Sequence, residues 1–201
     1  KRSLVDVSEG IRQNLNKQKK DFIRNFFSTI QLVMAGNDTQ GLRYGMIETP
    51  EKYYLEWKEE LNHVEGHKLD YHLGRMCNKQ RFLQIIHDFI VFDAGVKKTC
   101  RHNQFFGIEA AKQRIAEREG GIIWHTQGSG KSLTMVWLAK WIRENVSDSR
   151  VLIVTDRTEL DEQIEKVFTG VEEEIYRTKS GADLVATLNQ PTPWLMCSLV
   201  H

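Results

Sequence analysis

The five residues Gly128-Ser129-Gly130-Lys131-Ser132 stand between a short apolar run, Gly121-Ile122-Ile123-Trp124-His125, and a segment whose Met135, Leu138, Ala139 and Ile142 repeat at helical spacing. Few folds are open to a chain with this arrangement. Phosphate oxygens need several donors converging on a small volume, and a glycine loop can turn its backbone N–H groups inward where a side chain would block the approach. The N-terminus of the following helix adds the positive end of its dipole. Strand, loop and helix are therefore expected in that order, with the helix starting at Lys131. Lys131 is expected to reach the β and γ phosphates of ATP as a point charge, and the Ser132 hydroxyl to hold Mg2+. Thr126, Gln127, Gly128, Ser129 and Gly130 complete the expected cradle. An ordinary strand-to-helix turn carrying a surface lysine is the bland alternative. It is the weaker one, because all three parts fall where phosphate binding needs them. One departure points away from a generic phosphate-loop kinase: His125 stands where the usual loop has Gly or Ala.

The surroundings extend the pattern. Val151-Leu152-Ile153-Val154-Thr155 predicts a strand, Leu160, Ile164 and Val167 the helix after it, and Trp194 to Val200 a further strand. Upstream, Ile108, Ala111 and Ile115 mark a helix. Regular alternation after Gly95 favours a parallel sheet with helices on both faces. Before it, Thr29 to Ala35 and Leu42 to Ile47 read as two strands joined by the turn formers Gly36 to Gly41, with a polar helix over residues 8 to 20. Pro50 introduces an expected helix carrying Tyr53, Tyr54 and Trp57, whose rings suit packing better than base stacking. Leu61 to Leu73 reads as a polar connector, and Phe82, Ile85, Ile86 and Phe89 form one helical stripe. The fold class expected is α/β: residues 1–60 as the end of one α/β unit, 61–95 as a helical linker, and 96–201 as a partial ATP-binding lobe.

Composition narrows the function classes. Twenty-eight basic residues against 27 acidic give a net charge of +1 in 201 residues, so any polyanion must be met by a local patch. Cys77, Cys100 and Cys197 are widely spaced, without metal-ligand or redox pairing, which favours a reducing compartment. No apolar run approaches the length of a membrane span, so a cytoplasmic protein with no membrane partner is expected. The start at Lys1 and the end inside an apolar run read as cut ends. His63, Glu65, His67 and His72 lack the spacing of a zinc-protease helix, and Gly66 weakens any helix there.

Two further segments bear on chemistry. Gln104, in Arg101-His102-Asn103-Gln104, lies upstream of the loop, and its amide can donate to and accept from one adenine edge. Downstream, Asp156 could hold Mg2+ through water. The reading preferred here instead places Thr155, Arg157 and Thr158 against a nucleic-acid phosphate, with Thr158 capping the next helix. Arg157, Leu160 and Gln163 match the helicase pattern Arg-x-x-Leu-x-x-Gln.

The run Gly120 to Ser132, with Val151 to Gln163 behind it, resembles the restriction (motor) subunit of type I restriction-modification enzymes, a superfamily-2 helicase-like ATPase. The resemblance extends over the whole chain, because Phe27 to Tyr44 looks like the closing strands of that family's nuclease domain. It implies a partial RecA-like lobe preceded by the remnant of a nuclease domain. It implies ATP-driven translocation on double-stranded DNA followed by endonucleolytic cleavage, in a complex with methyltransferase and specificity subunits. Carried over by residue, Gln104 recognises adenine, Lys131 and Ser132 bind phosphates and Mg2+, and Arg157 touches the DNA backbone. Lys1 would be the lysine closing the nuclease motif, the nuclease carboxylates would precede it, and the Asp-Glu box and second lobe would follow His201. Such a fragment is expected to be inactive alone. Two alternatives stay open: a superfamily-2 translocase without nuclease, and a nucleotide-binding interaction fragment.

Overall fold

The computed structural model describes residues 5–59 and 67–200. These divide into two compact units, one comprising residues 1–91 with 97–105 and the other residues 92–96 with 106–201. Lys1, His63 and Glu65 lie outside the described residues.

The first unit is built on a helix and a small antiparallel sheet. Helix α1 (Val7–Lys17) starts where the Asp6 carboxylate accepts from the Ser8 N–H, and it carries Glu9 in its first turn and Lys17 in its last, each favourable to the helix dipole. Its apolar face, Val7 and Ile11, packs on Ala35 of β1 (Val33–Asn37), with Leu15 and Tyr54 alongside. Strand β1 turns back into β2 (Gly41–Gly45) in the register Val33↔Gly45 to Asn37↔Gly41. Asn37 and Gln40 stitch the turn, the Asn37 oxygen accepting from the Gln40 N–H at 2.6 Å.

After Pro50 the expected helix is a single 3-10 turn, Glu51–Tyr53, followed by β3 (Leu55–Glu56) paired with β2. Pairing explains the difference. Opposite Glu56 stands Arg43, their charged groups 2.8 Å apart, a cross-strand match that a helix would forfeit. Trp57 is fully buried against Tyr44 and Phe105, at centroid distances of 6.2 and 5.6 Å. Packing, not base stacking, is the use of this ring. Tyr44 is equally buried and donates its hydroxyl to the Cys100 carbonyl at 2.8 Å. Truncating Trp57 to Ala would cost about 3–5 kcal/mol.

Helix α2 (Arg24–Phe27) is one turn. Helices α3 (Lys68–Met76) and α4 (Lys79–Asp88) follow, the first occupying part of what reads in the sequence as connector. Asn78 caps α4 by accepting from the Arg81 N–H. Strands β4 (Ile90–Asp93) and β5 (Val96–Thr99) pair across Ala94 and Gly95, both at positive φ. Helix α5 (His102–Ala116) then carries the chain from one unit into the other.

The second unit holds helix α6 (Lys131–Asn145), strand β6 (Val151–Thr155), helix α7 (Thr158–Gly170), strand β7 (Tyr176–Arg177), helix α8 (Gly181–Leu188) and strand β8 (Leu195–Leu199). The strands form a parallel sheet in the order β6-β8-β7. Strand β8, from the apolar run Leu195-Met196-Cys197, is central and buried, as a parallel strand covered on both faces should be. Strand β6 is at the edge and alternates, Leu152 and Val154 staying accessible while Thr155 is buried. The apolar face of α7, Ile164 and Phe168, is buried, and Ala94 of the hairpin donates to the carbonyl of Gly170 at 2.8 Å.

One expectation fails here. Gly121 to His125 is not a strand, and Ile122 and Trp124 are 88% and 89% exposed. A strand is held by its neighbours' hydrogen bonds, and among the described residues no strand pairs with this segment. The local apolar pattern has no partner to act on.

Candidate phosphate-binding site

The loop that leads into α6 has the geometry its composition suggests. Gly128 and Gly130 take φ of 76° and 86°, a region that L side chains rarely adopt, and a Cβ built on Gly128 would meet nothing within 4 Å. The approach to the loop is therefore open. Gly130 is the N-cap of α6 and makes no side-chain cap bond, so the first turn of the helix keeps its donors for backbone or ligand. Ser129 is 6% exposed, and its hydroxyl is buried without a hydrogen-bond partner. Thr126 accepts from the Ser129 N–H at 3.3 Å, closing the loop, while Thr126, Gln127 and Gly128 are exposed.

Lys131 folds back onto its own loop. Its ammonium lies 3.2 Å from the carbonyl oxygen of His125 and 3.1 Å from that of Thr126. Those two dipoles hold the cation at the mouth of the glycine turn. The His125 ring lies against α5, where a Cβ added to Gly107 would come within 3.5 Å of it. Open glycine backbone, a helix N-terminus and a poised ammonium fit phosphate and a divalent ion with the phosphate bound.

Ser132, in the first turn of α6, is contacted by Gln163 of α7, whose Nε2 donates to Oγ at 3.4 Å. This pair joins the loop to the Arg157-x-x-Leu160-x-x-Gln163 segment. Sequence reading singles out Gln163 only as part of that pattern and assigns it no contact.

Thr155 closes β6 and is 8% exposed, its Oγ1 donating to Asp161 Oδ1 at 3.5 Å. Asp161 is itself 1% exposed and pairs with Arg177 of β7, which also lies 3.6 Å from Glu165. Beside them the Cys197 thiol is pushed up to about 12, by burial first and then by the Asp161 charge. No sequence signal marks Asp161 or Arg177, whose pairing joins a helix to a two-residue strand. Asp156 and Arg157 are both exposed, 3.9 Å apart. Thr158 does not cap α7. Arg157 holds the N-cap position, without a side-chain cap bond, and Thr158 is the first helical residue. Arg157 at φ −141° and ψ 137° is extended backbone continuing from the strand and takes the cap position itself, so the helix begins one residue earlier than the expected cap requires.

Gln104 belongs to the first unit, is 2% exposed, and accepts through Oε1 from the Arg101 N–H at 2.8 Å. The loop and the 155–163 segment belong to the second. His72 is satisfied inside the first unit: it accepts through Nδ1 from the Leu42 N–H at 3.3 Å, above Gly41, where any Cβ would lie 2.5 Å from that nitrogen. His67 sits 3.4 Å from Asp38. Among the described residues no group of three His, Cys, Asp or Glu side chains is arranged to hold a metal ion, and no helix is long and apolar enough to cross a membrane.

Comparison with known proteins agrees with the resemblance seen in the sequence. Residues 103–201 match the SWI2/SNF2 ATPase family model. A putative type I restriction enzyme MjaIXP endonuclease subunit of Methanocaldococcus jannaschii is 34% identical over 128 residues, 58% of this chain and 12% of that protein. The HindI endonuclease subunit of Haemophilus influenzae is 27% identical over 179 residues, 79% of the chain and 17% of that protein. The SsaAORF53P endonuclease subunit of Staphylococcus saprophyticus is 25% identical across the whole chain, 22% of its own length. The chain is thus similar throughout to type I restriction enzyme endonuclease subunits, and it spans less than a quarter of the length of each of these three relatives.

Proposed function

We propose that the second unit is part of the first RecA-like lobe of an ATP-driven DNA motor, and that the chain is a piece of a type I restriction enzyme endonuclease subunit. The observation that carries this is the loop itself: Gly128 and Gly130 at positive φ, an uncapped helix behind them and the Lys131 ammonium against two loop carbonyls. The match of residues 103–201 to SWI2/SNF2 ATPases supports it.

In this reading ATP is the substrate and Mg2+ neutralises its phosphates. Lys131 leaves the His125 and Thr126 carbonyls for the phosphates, Ser132 offers a hydroxyl oxygen to Mg2+, and the backbone of Thr126 to Gly130 wraps the phosphate chain. Gln104 selects adenine, which requires its amide to exchange the Arg101 N–H for the base. Thr155, Arg157 and Thr158 face a DNA phosphate, for which the exposed Arg157 guanidinium is best placed. The work of the lobe is electrostatic: fixed positive groups stabilise charge on the transferred phosphoryl group. In the whole protein the lobe would couple ATP hydrolysis to translocation along double-stranded DNA and to cleavage, in the cytoplasm, beside methyltransferase and specificity subunits. Residues 1–60 would be the end of the nuclease domain, with Lys1 closing its motif, and 61–95 the link to the lobe from 96 onward. ATP binding that is lost on Lys131→Ala tests the reading.

A further inference from the structure

Resting on that reading, we infer that Gln163 is a positioning residue that ties the Mg2+-binding hydroxyl of Ser132 to the strip of chain facing DNA. Helix α7 is held at two points separated by two residues. Gln163 reaches the start of α6 and donates to Ser132 Oγ at 3.4 Å, and Asp161 meets Thr155 at the end of β6 and pairs with Arg177. Residues two apart on a helix point about 200° from each other, so α7 presents one side to the phosphate loop and the other to the strand end. The path from Ser132 to Thr155 is therefore Gln163, about half a turn of helix and Asp161, with Asp161 at 1% exposure fixing the far end. Arg157 is the N-cap of the same helix, so it moves with it.

The chemistry at Ser132 makes this link sensitive to what the loop holds. A serine hydroxyl has one proton and two lone pairs. The Gln163 N–H occupies one lone pair, which sets the hydroxyl rotor and leaves the other lone pair and the proton for ion and phosphate. A ligand at Ser132 therefore alters the Gln163 contact, and the first turns of α7 carry that change to Arg157 and Thr155. Linkage makes the effect mutual: a DNA phosphate on Arg157 shifts the Ser132 contact by the same free energy.

The test measures the dissociation constant of Mg·ATP with and without a short DNA duplex, and that of the duplex with and without Mg·ATP, for the unaltered chain, Gln163→Ala and Gln163→Glu. The unaltered chain should show the same coupling factor by both routes, about fivefold or more. Gln163→Ala should bring the factor to about one while each ligand alone binds within about threefold of the unaltered chain. Gln163→Glu, which can accept from the hydroxyl but not donate to it, should give an intermediate factor. A factor of one in the unaltered chain, or a factor that survives Gln163→Ala, overturns the inference and leaves the phosphate-loop reading standing. Failure of the unaltered chain to bind one of the two ligands overturns the reading on which the inference rests.

Discussion

The carboxylate of Asp161, 1% exposed at the first turn of α7, is closed off by the guanidinium of Arg177 from a strand of two residues. Removing one partner of such a pair leaves a charge out of water without compensation, whereas replacing both by apolar groups does not. Arg177→Ala should lower the thermal midpoint of the chain by roughly 5 °C, with Arg177→Lys between the two. The double variant Asp161→Leu/Arg177→Met should recover most of the loss. Calorimetric melting of the four proteins checks the ordering.

The three thiols should separate by reactivity. Cys77 is exposed, whereas Cys100 and Cys197 are buried, the first with its thiol pushed far above the usual cysteine range by burial and the second up to about 12. The thiolate is the reactive form. Under native conditions at pH 8, Ellman's reagent should titrate one thiol rapidly and the other two only on unfolding. Rapid titration of all three would contradict the packing described around β8.

Acid should weaken the first unit through His72. Burial, with help from Lys68 and Arg43, holds its proton affinity below the ordinary 6.5, against the opposing pull of Glu56 and Glu59. Nδ1 must stay unprotonated to accept from the Leu42 N–H. The unfolded chain binds the proton first, so stability contributed above pH 6.5 is lost as pH falls from 6.5 through the lower folded value. Denaturation midpoints at pH 7.5 and 5.5 should fall further for the unaltered chain than for His72→Gln.

Arg157 is exposed and stands at the N-cap of α7, and in the proposed function it meets a DNA phosphate. Arg157→Ala should weaken duplex binding alike for unrelated sequences. The slope of log K against log salt should drop by about 0.9, one phosphate contact. Fluorescence anisotropy over a salt series measures both. An unchanged slope would move the contact elsewhere.

What the sequence reveals and conceals follows from the range of each interaction. Helix α6 is legible because Met135, Leu138, Ala139 and Ile142 repeat within the helix itself, and Gly130 marks its start. Strand β8 is legible from a continuous apolar run, and β6 from Val151 to Thr155. The segment Gly121 to His125 has the same local signal and forms no strand, because strand formation depends on a partner elsewhere in the chain. Residues 51–56 fail in the opposite sense: Pro50 signals a helix start, but the pairing of Glu56 with Arg43 decides. The β4–β5 hairpin was hidden behind a helical stripe that ends at Phe89. At the site, the loop residues are read from composition, whereas the Gln163–Ser132 and Asp161–Arg177 pairs join residues 31 and 16 positions apart and leave no local trace.

The account turns on whether the loop around Lys131 binds ATP. Isothermal calorimetry with Mg·ATP and Mg·GTP on the unaltered chain, Lys131→Ala and Gln104→Ala tests this directly. The account predicts that the unaltered chain prefers ATP, that Lys131→Ala weakens ATP at least about tenfold through loss of a charge-assisted contact, and that Gln104→Ala removes the preference over GTP. Binding of ATP that Lys131→Ala leaves unchanged, or no binding by the unaltered chain, would contradict it.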